Sequence, residues 1–236
     1  MKFWNSCAAV LLAMGLTACA PVPTQEPVPG RAPTAVIPEG ARLYRVVPAE
    51  SQLRVLVYRG GRLGSLGHNH VISSRAVTGI VGLAASHAES VLYLNLPVDS
   101  LEVDRPELRD AEGDDFPGHL DGSAIAGTRA NMLGEKLLDA AHYPQIEIRS
   151  RAIEGELPDL NLRAEITVRD HVATAVIPVH LQIDDQQLVA EGSFDLTHKQ
   201  LGLEPFSVML GALTVQDAMQ LKFKIVARHD QAQALQ

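Results

Sequence analysis

Strict alternation of apolar and polar residues constrains this chain more than any other feature. "LRVLVYR", residues 53–59, puts Leu53, Val55 and Val57 on one face. "VLYLNLPV", residues 91–98, does the same with Leu92, Leu94, Leu96 and Val98. In "LNLRAEITVR", Leu162, Ala164, Ile166 and Val168 oppose Asn161, Arg163, Glu165, Thr167 and Arg169. In "AMQLKFKIVA", Met219, Leu221, Phe223 and Ile225 oppose Gln220, Lys222 and Lys224. Successive side chains of a strand point to opposite faces, so this pattern means strands with one buried and one wet face, hence antiparallel sheet. Shorter alternations occur at residues 43–47, 71–83, 145–151, 176–183 and 188–196. Eight or more such strands predict an all-β chain folded as a closed barrel or a sandwich.

One segment breaks the rhythm. Residues 104–143 begin with acidic turns, including "DAEGDD" at 110–115, and then become helical in pattern. Ala124, Ile125, Met132, Leu137 and Leu138 make an apolar stripe that predicts a helix between Gly122 and Ala140, with Pro144 just beyond its end. The expectation is a helical insertion between strands, with one or two helices. The acidic run lacks the spaced ligands and closing glutamate of an EF-hand loop, and reads as a solvated turn.

The two ends of the chain are different in kind. Residues 1–18 carry a lysine at position 2, then an apolar run too short to span a bilayer, then small residues. That is the build of an export signal. It ends in Leu16-Thr17-Ala18-Cys19, which resembles a bacterial lipobox. The resemblance implies cleavage before Cys19, acylation of its thiol, and a membrane partner reached through that lipid anchor. Ala20 after the cysteine, in place of aspartate, predicts the outer membrane and a periplasmic location. Cys7 would leave with the signal, so the mature domain would hold neither disulfide nor free thiol. The stretch "APVPTQEPVPGRAPTAVIPEG", residues 20–40, is proline-rich and reads with Cys19 and Ala41 as a tether, 19–41. As polyproline II its reach is roughly 60 Å at about 3.1 Å per residue. The folded domain is expected over 42–228, with a polar tail at 229–236.

Composition excludes some functions. The formal net charge is -8, and no cluster of lysine and arginine occurs. Nucleic-acid binding depends on neutralising phosphates, so it is not expected. Neither G-x-S-x-G nor H-E-x-x-H is present, and no phosphate-binding glycine motif follows a strand. A binding protein, not an enzyme, is the expectation, with no catalytic residues and no resident cofactor.

Three stretches carry a family resemblance. "LLDAAHYPQIEIRS" (137–150), "ITVRDHVATAVIPV" (166–179) and "GSFDLTHKQLGL" (192–203) together resemble the YceI-like polyisoprenoid-binding proteins in order and spacing. The likeness covers about residues 42–227. His198 stands where that family more often carries arginine, and Asp170 stands at a turn that more often carries glycine. The resemblance implies an extended, lipocalin-like antiparallel barrel of about eight strands whose interior holds a long isoprenoid-like lipid. Aromatic residues are only 4% of the chain, so such an interior has few large rings to fill it. The inward residues Leu53, Val55, Val57, Leu92, Leu94, Ile166, Met219, Leu221 and Phe223 are the candidate cavity lining.

"GGRLGSLGHNHVI", residues 60–72, is the remaining motif. Its glycines predict a loop at the barrel rim, with Val71 and Ile72 opening the next strand. His68 and His70 share a face if the strand reaches them. Two readings stay open. The pair, with His198, hydrogen-bonds a lipid head group; alternatively His68 and His70 hold a metal with a third ligand from elsewhere.

Overall fold

The computed structural model describes residues 36–230. The signal, Cys19, most of the tether and the tail beyond Asp230 lie outside them. Twelve strands are present among the described residues: β1 Arg42–Val46, β2 Gln52–Gly60, β3 His70–Ser74, β4 Thr78–Leu83, β5 Val91–Pro97, β6 Glu102–Val103, β7 Gln145–Glu156, β8 Asp159–Val168, β9 His171–Ile183, β10 Gln187–Thr197, β11 Ser207–Val208 and β12 Leu213–His229. Two helices, α1 Pro106–Glu112 and α2 Gly122–Leu133, separate β6 from β7.

Every pairing is antiparallel, and eight strands close a ring in the order β1-β4-β5-β7-β8-β9-β10-β12, with β12 returning to β1. The fold is thus the all-β, lipocalin-like barrel that the alternation and the resemblance predict. The last strand shares one edge between two partners. Its Ala227–His229 end pairs β1, while Thr214–Lys224 pairs β2. From β2 the sheet continues through β3 to β6, and α2 packs against β6. Arg129 of α2 fixes that contact by donating to the carbonyls of Asp99 and Leu101.

The inward side chains form one continuous apolar cluster that includes Leu94, Leu162, Ile166, Met219 and Ile225. Burying each such side chain contributes about 1.5–3 kcal/mol. One seam is short. The β9–β10 ladder runs only from His180–Ile183 against Leu188–Glu191. Pro178 lies just beyond it and has no N–H to continue the ladder. Gly192 sits beside that point, and a Cβ there would lie 2.6 Å from Phe223 Cζ and 2.3 Å from Pro178 O. The missing side chain is the space that the Phe223 ring occupies.

Three sequence expectations change in detail. The alternation at 71–83 is not one strand: it breaks between Ser74 and Thr78 into β3 and β4, which pair with different partners. The helix expected to reach Ala140 ends at Leu133, and Leu137 and Leu138 follow in turns, Leu138 still buried in the core. Nor is the acidic run wholly solvated. The side chain of Glu112 is covered at the end of α1, where its carboxylate accepts from Arg54 Nη1 and Lys222 Nζ, both at 2.5 Å. Those cations stand on β2 and β12, so α1 is held to the barrel. Beneath it Leu56, Val71 and Phe116 form a second small core with Tyr58 and Leu108. The outward face of β2 and β3 is therefore covered, which explains the apolar Leu56 out of phase in "LRVLVYR".

Candidate ligand cavity

The barrel is not filled. A cavity of about 380 Å³ runs through it, a size within the range of ligand sites. Val215, Met219, Leu221, Phe223 and Ile225 of β12 all line it. Against β2 the first and last of these stand about eight residues apart, because the register shifts between Val215 and Met219, so the slot follows roughly 26 Å of strand at about 3.3 Å per residue. All nine residues named as candidate lining from the sequence border this cavity.

Among the described residues lining it, four are polar: His70, His198, Thr128 and Asn131. The register brings the two histidines to one level. His70 pairs with Val57, Val57 pairs with Met219, and Thr197, next to His198, pairs with Ala218. That level is near one end of the slot. His68 lies outside it: the residue is exposed, in the loop before β3, with its ring centroid 6.5 Å from that of His70.

Each lining histidine is held through Nδ1. His70 Nδ1 lies 2.6 Å from Asp104 Oδ2. Asp104 is fully buried and its other oxygen accepts from the N–H of Val71 at 2.9 Å and from Arg109 Nη1 at 2.7 Å. Arg109 is buried too, and it donates further to the carbonyls of Asn69, Pro117 and Gly118. Burial pushes the Asp104 carboxyl up, but the hydrogen bonds from His70, Val71 and Arg109 outweigh it and hold the carboxyl below its ordinary value. An ionised Asp104 can only accept, so Nδ1 of His70 is the donor. His198 Nδ1 lies 2.9 Å from the carbonyl oxygen of Asp217, which can also only accept. In both rings Nε2 is left without a hydrogen-bond partner in the described structure.

Asp217 belongs to a bulge in β12 between Val215 and Met219, where the register against β2 shifts. Its carbonyl also accepts the His198 N–H, and its carboxylate accepts the Lys199 N–H. The bulge therefore positions His198. The metal alternative for His68 and His70 finds no third ligand: among the described residues no group of three or more His, Cys, Asp or Glu side chains gathers so as to hold a metal. Asp104, Arg109, Thr128 and Asn131 stand in no motif of the sequence. Asp104 stands in an acidic stretch where nothing in the spacing marks it as buried.

No curated protein matches the chain. Among solved structures, Burkholderia cenocepacia BcnA is similar at 17% identity and a TM-score of 0.55, with 77% of this chain and 98% of that chain covered. A mutant of the Campylobacter jejuni YCEI protein is similar at 9% identity and a TM-score of 0.50, over 67% of this chain and 84% of that one. These likenesses concern the fold. The sequence itself matches the YceI-like domain across residues 44–227, which is most of the chain and all but the outermost residues of the barrel: this chain belongs to the YceI-like family.

Proposed function

We propose that the protein is an envelope-tethered carrier that holds a long, isoprenoid-like lipid in its barrel. The observation that carries this reading is the polarity of the slot. Its wall is apolar along β12 from Val215 to Ile225, and its two histidines are gathered at the Met219 level. An apolar chain with one polar end fits that arrangement and a sugar or an ion does not. The family is known for binding polyisoprenoids, which agrees. With Nδ1 engaged in both rings, Nε2 of His70 and of His198 is left to meet a polar head group such as a hydroxyl, which can both donate and accept. The role is to hold the lipid, not to transform it. The lipobox-like end at Cys19 and the following Ala20 support a periplasmic site of action on the outer membrane.

Native mass spectrometry of the protein purified from its own host tests this directly. The expected result is an added mass of several hundred daltons, consistent with a ligand that fills a slot of this size, which organic solvent removes. A protein that carries no solvent-extractable mass, or one that a chelator lightens, would overturn the reading.

A further inference from the structure

Beyond the slot, one end of the barrel presents an unusual surface. The hairpin from β11 to β12 exposes Phe206, Val208, Met209 and Leu210, the last of them completely. Met209 and Leu210 both take positive φ, 52° and 55°, ahead of Gly211 at 83°. Side chains with a Cβ resist that backbone, and the fold nevertheless uses it to turn two large apolar groups outward. The loop between β2 and β3 lies alongside, tied by the Leu63 N–H to the Ala212 carbonyl at 2.7 Å, and it adds exposed Leu66. The segment "FSVMLGAL", residues 206–213, holds no charge, and Arg62 is the one charged residue of 60–67. These two segments are thus apolar and carry one cation, in a chain whose net charge is -8, and the first acid, exposed Glu204, precedes Phe206 by two residues. Phe206 also lines the cavity, so the exposed patch is continuous with the slot.

We infer that this tip, residues 206–210 with Leu66, docks on an anionic lipid bilayer and is where the ligand passes between bilayer and slot. Large apolar side chains beside a cation suit the interface of such a membrane. The length of the tether agrees. The tip and the start of the barrel domain lie at opposite ends of β12, since β1 pairs its Ala227–His229 end. Leu213 to His229 is at most roughly 54 Å of strand at about 3.4 Å per residue. The segment from Cys19 to Arg42 reaches roughly 70 Å as polyproline II at about 3.1 Å per residue. A domain anchored at Cys19 can therefore bring its far end back to the membrane it hangs from. The inference rests on the carrier reading above, but its test does not depend on it.

The mature chain contains no tryptophan, because Trp4 belongs to the signal. Leu210→Trp in the processed protein that begins at Cys19, reconstituted in phosphatidylethanolamine–phosphatidylglycerol vesicles, then reports on the tip alone. Val176→Trp, on the exposed outer face of β9, is the control. Docking predicts a blue-shifted emission and quenching by acyl-brominated lipid at position 210 and neither effect at 176. Equal quenching at both, or none at 210, would overturn the inference. So would a blue shift at 210 that rises with protein concentration without vesicles, which marks a second copy as the occupant. A second variant, Met209→Asp with Leu210→Asp, keeps the fold testable, since aspartate accepts positive φ better than leucine or methionine. Uptake of a fluorescent polyprenol from vesicles should slow at least tenfold with final occupancy unchanged; an unchanged rate counts against the tip. Should the parent chain take up no polyprenol while the indole of the Leu210→Trp variant is quenched, the carrier reading fails and docking stands.

Discussion

Asp104 decides what His70 can do. Its carboxylate joins a cavity-lining ring to a buried guanidinium, and all three groups depend on its charge. Burial raises its pKa, and the hydrogen bonds from His70, Val71 and Arg109 more than reverse that, leaving it below the ordinary 3.8. A carboxyl with a depressed folded pKa contributes stability above its unfolded pKa and loses it as pH falls through the folded value. The loss from this group therefore belongs to the range below about pH 4. Asp104→Asn removes the charge while keeping the shape, and it strands Arg109, whose side chain is 2% exposed. Its expected cost is about 3–5 kcal/mol at pH 7, measured by urea unfolding. The gap between variant and parent should narrow at pH 3; a constant gap would show that the carboxylate charge is not what matters. None of this was legible in the sequence. His70 could be read as facing the core because strand alternation places it, whereas its partner comes from 34 residues on through the chain reversal at positive-φ Asp104.

At the scale of elements, α1 is held by charge. Glu112, 3% exposed, faces Arg54 and Lys222, which are 27% and 33% exposed and can rehydrate when released. Glu112→Ala should therefore cost about 1.5–3 kcal/mol, the range for hydrogen bonds to charged groups. Amide hydrogen exchange locates the effect: faster exchange confined to 106–116, with β7 to β10 unchanged. Uniform acceleration across the barrel would mean that α1 is integral to the sheet and not a clasp upon it. Strands of the barrel were legible because their two faces meet different solvents, oil and water, at period 2. The break at Arg75–Val77 was not, since no glycine or proline marks it, although the inward residues change parity there, from His70 and Ile72 to Val77 and Val81. The end of α2 was hidden too, because Leu137 and Leu138 are buried by turns that continue the apolar stripe beyond the helix. Likewise an outward Leu56 signals a covered face only once α1 is known to lie over it.

The proposed carrier combines an anchor at Cys19, a proline-rich spacer and the hollow barrel, and each can be removed singly. Cys19→Ala should release the protein from membrane fractions; retention after a high-salt wash would show that Cys19 carries no anchor. For the barrel, Leu221→Trp separates a slot from a solid core. Leu221 lies midway along the β12 wall, between Met219 and Phe223, and borders the 380 Å³ cavity. The inward position was legible from alternation, but emptiness was not, because a residue that lines a void and one that touches a neighbour have the same pattern. An indole at this position has free volume to enter. It should lower lipid occupancy, read by native mass spectrometry, while the melting temperature of the lipid-free protein holds. In a core that closes on itself the same ring would overpack and cost about 1–3 kcal/mol. Unchanged occupancy with a large fall in melting temperature would therefore place the ligand elsewhere and make the aliphatic interior a structural core alone.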